Sequence, residues 1–355
     1  MQRFFILALA ALGALALASA PAPASIVKTA FVKHRLAGRL VDHTSNHGGD
    51  RRIWSAALGQ RRDLYVYLPP GYDPNLRYPV MIWLHGVFED ERSFVQQKGL
   101  RDFDSAMASG RLPPTIIAIP DGSAKGHPTL FRGNPLWLNS QQGKFEDYVI
   151  QDVWTFVQKN YSIRPERQAH VLAGISGGGL ASFRMGIKHQ AEFAVVAGTH
   201  PSLNVRWIDC HGRYFSKFDP ACWGWRESVD RGNEPVARFY GVVTIRMKHL
   251  VYPLFGKGPE SVANISRENP IEMIDHFNLR EGELAMYVAY AGRDQFNVTA
   301  QVDSFRYRAQ ERGLTVSFGF DPRGRHDLPT ADRLRPGVIE WLAQQLAPFG
   351  PAQPR

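Results

Sequence analysis

Short apolar runs separated by turn residues indicate where the strands of this chain lie. Seven runs predict strands, at residues 64–68, 80–84, 115–119, 169–173, 193–197, 284–290 and 315–320. Several of these runs are apolar at every position, whereas a strand with one solvated face alternates between apolar and polar residues. The pattern therefore predicts a largely parallel sheet that is covered on both faces.

Apolar residues at steps of three and four predict helices between these runs. The segments are residues 145–158, 180–188, 298–312 and 338–346, and the last of them opens at Pro336. Strands that alternate with helices over this length predict an α/β fold with a doubly wound sheet. We expect this domain to occupy residues 55–350, preceded by an N-terminal extension at residues 25–54.

One segment, residues 206–257, interrupts the alternation and is called the insertion below. It holds ten aromatic residues, both cysteines of the chain, and nine Lys or Arg against five Asp or Glu. We interpret it as an insertion between two strands that forms a lid or cap over one end of the sheet. The alternative is a surface elaboration that only packs on the scaffold.

The N-terminus has the features of a secretory signal peptide. Arg3 is followed by an apolar run at residues 4–17 and then by small residues, and the run is too short to span a bilayer comfortably. We expect a signal peptide at residues 1–24, cleaved after Ala24 or alternatively after Ala20; an uncleaved anchor is the other interpretation. The protein is thus predicted to be secreted or periplasmic, without stable membrane insertion. In that oxidising environment, the spacing of Cys210 and Cys222 favours one disulfide.

Composition narrows the class of protein further. The 355 residues carry a net charge of +9, and only two of them are cysteines, so a disulfide-dense scaffold is excluded. The basic residues form scattered pairs, without a basic tail or a nucleic-acid-binding motif. We therefore expect no nucleic-acid partner.

The sequence Gly174-Ile175-Ser176-Gly177-Gly178 carries the first candidate chemistry. It matches G-x-S-x-G, follows a predicted strand and opens a predicted helix. This strand–turn–helix context is that of a nucleophile elbow, in which a tight turn between glycines exposes the serine hydroxyl. Ser176 is therefore the candidate nucleophile; an incidental serine in a glycine-rich turn is the alternative.

A serine nucleophile needs a base and a carboxylate that orients the base, and in this class of fold the chain order is Ser, acid, His. Asp294 lies just after the strand predicted at 284–290, and His326 lies in the loop after the last strand. They are the candidate acid and base. Asp303 and Asp321 are weaker candidates for the acid, and we expect each to be a surface charge.

The remaining site residues are candidates for oxyanion and substrate contacts. The backbone N–H groups of Gly177 and Val87 are expected to form the oxyanion hole, and His85 is expected to shape the loop that carries Val87. His200 and Trp137 are assigned to substrate contact, with a structural role as the alternative for His200. No metal-ligand spacing such as H-E-x-x-H is present in the sequence, so we expect no metal and no cofactor.

Taken together, these motifs resemble the esterase family of α/β-hydrolases, which includes feruloyl and acetylxylan esterases, enterobactin-type esterases, formylglutathione hydrolase and mycolyltransferases. The similarity runs from about Ser55 to Leu346 and includes Tyr67-Leu68-Pro69-Pro70-Gly71-Tyr72, Trp83-Leu84-His85-Gly86, the elbow and Arg325-His326-Asp327. The resemblance implies an α/β-hydrolase fold, a Ser176–Asp294–His326 triad and an oxyanion hole at Gly177 and Val87. The insertion departs from the family pattern. His200 departs from it as well, because many relatives have a Ser-Gly stretch at this position.

The leading hypothesis is a secreted serine carboxylic-ester hydrolase. Export and the aromatic insertion favour a bulky or carbohydrate-linked ester of the feruloyl or acetyl type, so the expected partner is a small-molecule or polysaccharide ester. One alternative is acyl transfer to a sugar or lipid alcohol. Another, from a different class, is a catalytically silent carbohydrate-binding module.

Overall fold

The computed structural model describes residues 35–126, 135–239 and 243–353. The predicted signal peptide at residues 1–24 lies outside the described residues. Within the described part of the chain, no helix is both long and apolar enough to cross a membrane.

An eight-stranded sheet forms the centre of the molecule. In chain order its strands are Arg39–His43 (β1), Leu64–Leu68 (β2), Val80–Leu84 (β3), Ile116–Pro120 (β4), His170–Ile175 (β5), Val195–Thr199 (β6), Ala285–Ala291 (β7) and Ser317–Asp321 (β8). Their spatial order is β1-β2-β4-β3-β5-β6-β7-β8. β2 runs antiparallel to both β1 and β4, and the other neighbouring pairs are parallel.

Helices connect and cover these strands. They are Glu91–Gln96 (α1), Gly99–Ala108 (α2), Phe145–Asp147 (α3), Trp154–Asn160 (α4), Gly177–Lys188 (α5), Met247–Leu250 (α6), Tyr252–Phe255 (α7), Pro259–Arg267 (α8), Pro270–His276 (α9), Val298–Glu311 (α10) and Leu328–Leu346 (α11). A π-helical stretch, Tyr148–Val153, joins α3 to α4.

Two hydrophobic cores lie on opposite faces of the sheet. Residues from α4, α5 and α10 pack on one face, and residues from α1, α2 and α11 pack on the other. In β3, Ile82 and Leu84 belong to the first core, whereas Met81 and Trp83 belong to the second. Because successive side chains of a strand point to opposite faces, a strand covered on both sides is apolar at every position.

The sequence predicted all of the parallel strands, but two of its boundaries were wrong. The predicted N-terminal extension contains β1, which pairs with β2 at the edge of the sheet and so is part of the domain. The last helix begins at Leu328, and Pro336 lies inside it. The side chain of Asp327 accepts a hydrogen bond from the backbone N–H of Thr330 at 2.9 Å and caps the helix eight residues earlier than predicted.

The insertion lies between β6 and β7. It contains two small antiparallel ribbons, in which Trp207–Asp209 pairs with Trp223–Trp225 and Pro235–Phe239 pairs with Val243–Arg246. The predicted disulfide is present: Cys210 and Cys222 are bonded and close the first ribbon. A small apolar cluster of its own stabilises the rest of this region, which includes α6 and α7.

Candidate active site

Ser176 lies at the sharp turn between β5 and α5. Its backbone has φ 54° and ψ −117°, a region that side-chain-bearing residues seldom adopt. The turn brings α5 against β3, where a Cβ on Gly174 would lie 2.6 Å from the carbonyl oxygen of Leu84 and one on Gly178 would collide with the same oxygen. Glycine at these two positions is therefore what permits the elbow.

Three side chains predicted from the sequence meet at this turn. The Ser176 hydroxyl oxygen (Oγ) lies 2.9 Å from Nε2 of His326, and Nδ1 of the same imidazole lies 2.7 Å from Oδ2 of Asp294. Asp294 follows β7, and His326 lies in the loop between β8 and α11. The carboxyl ends of neighbouring parallel strands lie at one edge of a sheet, which brings together residues 150 positions apart in the chain.

The carboxylate of Asp294 is fully buried and hydrogen-bonded. Its Oδ1 accepts from the backbone N–H of Phe296 at 2.8 Å, while Oδ2 faces His326. Burial acts to raise the pKa of Asp294, but the attraction of His326 and the hydrogen bonds outweigh it and lower this pKa below its ordinary value. An ionised carboxylate at this position orients the imidazole and stabilises its charged form.

Two residues that the sequence analysis missed also hold His326. The side-chain oxygen of Gln295 accepts a hydrogen bond from the backbone N–H of His326 at 2.7 Å, and the ring of Phe296 lies 4.7 Å from the imidazole, measured between centroids. Both residues directly follow Asp294 in the chain. Their place in a loop after a strand is the only signal in the sequence that points to them.

The other carboxylates considered for the acid lie elsewhere. Asp303, in α10, accepts a hydrogen bond from the hydroxyl group of Tyr290 at 3.0 Å. Asp321, at the end of β8, pairs with Arg333 at 2.8 Å. Neither approaches the imidazole, so the geometry favours Asp294.

The candidate oxyanion donors lie next to Ser176. A Cβ placed on Gly177 would lie 3.8 Å from the backbone nitrogen of Val87, so the two N–H groups belong to one small region. Gly177 is the first residue of α5, where N–H groups have no partner within the helix. In contrast, the N–H of Gly86 is taken by the carboxylate of Glu89 at 2.9 Å.

The side chain of His85 stabilises the loop that carries Gly86 and Val87. Its Nε2 accepts a hydrogen bond from the N–H of Gly122 at 2.9 Å, so Nδ1 carries the proton and donates to the carbonyl oxygen of Gly86 at 2.8 Å. The indole N–H of Trp137 donates to the carbonyl oxygen of His85 at 3.1 Å. These bonds fix the peptide groups on either side of Gly86.

Neither of the two predicted substrate contacts reaches the surface of the cavity. Trp137 is 1% exposed and lies beneath the loop, with its ring 4.8 Å from that of His85. His200 is also 1% exposed and has a left-handed backbone (φ 51°). Its side chain lies beside Asp294 and His326. Trp137 instead supports the loop that carries Val87, and His200 packs against His326, which is the structural alternative for this residue.

His200 is a buried neutral histidine. Its Nδ1 lies 3.9 Å from Oδ2 of Asp294, and its ring lies 5.0 Å from that of His326. Burial and the neighbouring His326 lower the pKa of His200 to about 4, against a smaller opposing effect of Asp294. Among the described residues neither ring nitrogen has a hydrogen-bond partner.

A cavity of about 130 Å³ opens in front of Ser176 and His326. The scaffold contributes Val87, Leu136, Leu138 and Leu180 to its wall. The insertion contributes further residues to the lining, so it borders the cavity that holds the candidate nucleophile.

Three groups of potential metal ligands occur among the described residues, and each has another role in the structure. Cys210 and Cys222 form the disulfide, and Asp294 and His326 hold each other. The third group, Asp63, Glu91 and Asp121, is buried and includes an ion pair of 2.7 Å between Asp121 and the guanidinium group of Arg62. The guanidinium group of Arg62 therefore supplies the positive charge for this cluster of carboxyl groups.

An elbow after β5, an acid after β7 and a histidine after β8, on a sheet of this strand order, define an α/β-hydrolase fold. A family model described as "Putative esterase" matches residues 55–268, more than half of the chain. The chain belongs to this esterase family.

Individual relatives agree with the family. An esterase of Mycobacterium tuberculosis is 25% identical over 311 residues, which cover 85% of this chain and 59% of the relative. The endo-1,4-β-xylanase/feruloyl esterase of Xylanibacter ruminicola is 29% identical over 143 residues, or 38% of this chain and 19% of the relative. The chain thus spans about three fifths or less of the length of these two relatives.

Solved structures show the same fold at lower identity. A ferulic acid esterase superposes with a TM-score of 0.63 at 16% identity, covering 87% of this chain and 99% of its own. An S-formylglutathione hydrolase from Agrobacterium tumefaciens gives a TM-score of 0.58 at 16% identity, covering 88% and 96%. A ferulic acid esterase from Anaeromyces mucronatus in complex with ferulic acid gives 0.55 at 17% identity, covering 87% and 91%.

Proposed function

We propose that the protein is a serine carboxylic-ester hydrolase that acts through Ser176, His326 and Asp294. The observation that carries the proposal is the continuous hydrogen-bonded chain from the Ser176 hydroxyl to the buried carboxylate, at the edge of the cavity. Membership of an esterase family supports it.

The geometry supports an acyl-enzyme mechanism. Nε2 of His326 takes the proton from Ser176 as the serine oxygen attacks the ester carbonyl, and the N–H groups of Val87 and Gly177 donate to the oxyanion that forms. The imidazolium then gives its proton to the departing alcohol, which leaves an acyl group on Ser176. A water molecule, deprotonated by His326, attacks this acyl-enzyme and releases the acid.

We further propose that the substrate is an ester with a bulky acyl group. The cavity next to Ser176 supports this, because side chains of both the scaffold and the insertion line it, more than an acetyl group would contact. One relative is named an endo-1,4-β-xylanase/feruloyl esterase, which supports an acyl group larger than acetyl. The lining of the cavity bears on the nature of the acyl group and is argued below.

Export is part of the proposal. The disulfide between Cys210 and Cys222 supports an oxidising compartment, because such bonds seldom persist in the cytosol. The charged start and apolar run of residues 1–17 support the same location.

Labelling with a fluorophosphonate tests the nucleophile. The probe should modify the wild-type protein once, and peptide mapping should place the adduct on Ser176. Ser109 is exposed at the end of α2 and serves as the matched control, so Ser109→Ala should label like the wild type while Ser176→Ala should not. A folded wild-type protein that takes no label would contradict the proposal.

A further inference from the structure

The insertion supplies eight residues to the lining of the cavity in front of Ser176, and most of them are apolar. The apolar ones are Val229, Val236, Met247, Leu250, Val251 and Phe255, and the other two are Tyr214 and Arg226. The scaffold adds the apolar side chains of Val87, Leu136, Leu138 and Leu180 to the same lining. A group bound here is therefore surrounded mostly by hydrocarbon.

The tryptophans of the insertion do not take part in this lining. Trp223 packs against Trp225 and against Tyr307 of α10, with ring centroids 5.0 and 6.3 Å apart, and Trp207 packs against Phe218. None of the three tryptophans lines the cavity that the described residues form. These tryptophans, which helped to suggest a feruloyl-type substrate from the sequence, pack within the insertion and against α10.

Charged side chains in the lining are neutralised by partners within the protein. Arg226 binds both carboxylate oxygens of Glu234, at 2.6 and 2.9 Å, and Arg184 binds Glu268 at 2.9 Å. The cavity thus presents no unpaired charge among the described residues that would bind a charged acyl group.

Few polar atoms remain available to a ligand. The hydroxyl group of Tyr214 donates to the carbonyl oxygen of Phe296 at 2.6 Å and accepts from Gln301 at 3.0 Å. Of the fully buried polar side-chain atoms in the described lining, Oε1 of Gln301 and Nε of Arg184 lack a partner, and the hydroxyl group of Ser202 also lines the cavity. A sugar ring or a substituted phenol is usually recognised by several convergent polar groups, which this lining does not offer.

We infer that the insertion forms an acyl-chain site and that the acyl group it takes is an extended aliphatic chain. This inference rests on the proposed function, since it concerns the group that Ser176 would carry in the acyl-enzyme. Each added methylene group removes more apolar surface from water inside the cavity. The cavity therefore selects chain length, and it discriminates against acetyl esters because they leave the lining unoccupied.

A series of p-nitrophenyl esters tests this, because the leaving group stays the same while the acyl chain grows from acetate to butyrate, hexanoate and octanoate. Burial of one methylene group corresponds to about a fourfold gain in kcat/KM, until the cavity is filled. Methyl octanoate and methyl ferulate form the second comparison, with one alcohol and two acyl groups. We expect the octanoyl ester to be the better substrate.

Val251 of the insertion and Val262 of α8 give a matched pair of variants. Val251 and Val262 are both half-buried and pack on the same apolar cluster, but only Val251 lines the cavity. Val251→Phe should lower the ratio of octanoate to acetate turnover by at least about tenfold, because the added ring occupies the chain site. Val262→Phe should leave this ratio at the wild-type value.

Three results would overturn the inference: turnover that does not depend on chain length, preference for the feruloyl ester, or equal ratios in the two variants. Each requires an active enzyme. If no ester is turned over, or if Ser176→Ala is as active as the wild type, the proposed function itself fails.

Discussion

The imidazole rings of His200 and His326 are neighbours, with their centroids 5.0 Å apart and their planes tilted by 37°, and both approach the carboxylate of Asp294. Only His326 reaches hydrogen-bond distance, at 2.7 Å against 3.9 Å for the other ring. Because His200 is neutral, it adds no positive charge that would oppose protonation of His326. It is buried beside the His326 ring and the Asp294 carboxylate, where it keeps water from the carboxylate.

Replacement of His200 should therefore slow catalysis. His200→Asn suits the left-handed backbone but leaves a gap beside Asp294 and the imidazole, so we expect kcat to fall about 10- to 100-fold with little change in KM. Steady-state kinetics on one p-nitrophenyl ester measure the effect. His211→Asn, at an exposed histidine of the insertion, is the control, and equal kcat values for both variants would contradict the role given to His200.

The same buried histidine should make stability depend on pH. Its pKa is about 4 in the folded protein, against 6.5 in the unfolded chain, so the unfolded state binds more protons between these values. The free energy of unfolding therefore has its full value above pH 6.5, where this histidine is neutral in both states, and it decreases as the pH falls toward 4. Denaturant titrations should thus show the wild type losing about 2 kcal/mol more than His200→Asn between pH 7 and 4.5. Parallel pH curves for the two proteins would refute this.

Gly178 should tolerate no side chain. A Cβ at this position collides with the carbonyl oxygen of Leu84. Because a Cβ and a backbone carbonyl oxygen have no rotatable side-chain bond, the collision is relieved only by a shift of the backbone. Gly178→Ala should lower the free energy of unfolding by about 1–3 kcal/mol and disturb the elbow. Gly224→Ala, where a Cβ meets nothing within 4 Å, is the control and should stay within about 0.5 kcal/mol of the wild type.

The disulfide should stabilise the insertion more than the scaffold. Cys210 and Cys222 close a loop with a sequence separation of 12, and the chain-entropy model assigns about 3 kcal/mol to a loop of this size. In the Cys210→Ser/Cys222→Ser variant, hydrogen exchange should rise in the insertion and stay unchanged in β3 and β5. Faster exchange throughout the sheet would show that the bond stabilises the whole domain instead.

The sequence predicted the sheet well because both faces of each parallel strand are buried, which leaves continuous apolar runs such as residues 80–84. β1 was not predicted because Arg39–His43 is an edge strand with polar residues. α1 was not predicted because its six residues are too few to show a helical period. Pro336 suggested a helix start, but the cap at Asp327 and the eight helical residues before Pro336 outweigh the loss of the one N–H donor that proline lacks.

The triad could be proposed from sequence because each member directly follows a recognisable strand. Trp137 and His200 could not be placed in this way, since their roles depend on contacts with His85 and His326 that are distant in the chain. The apolar lining was equally hard to predict, because the sequence does not show which residues of the insertion line the cavity, and its three tryptophans do not.

The most direct test of the central claim compares kcat/KM of the wild type and Ser176→Ala on p-nitrophenyl hexanoate. A loss of at least about a thousandfold, in a variant whose circular dichroism spectrum and thermal unfolding match those of the wild type, is what the account predicts. If the variant keeps full activity, Ser176 is not the nucleophile and the account is wrong.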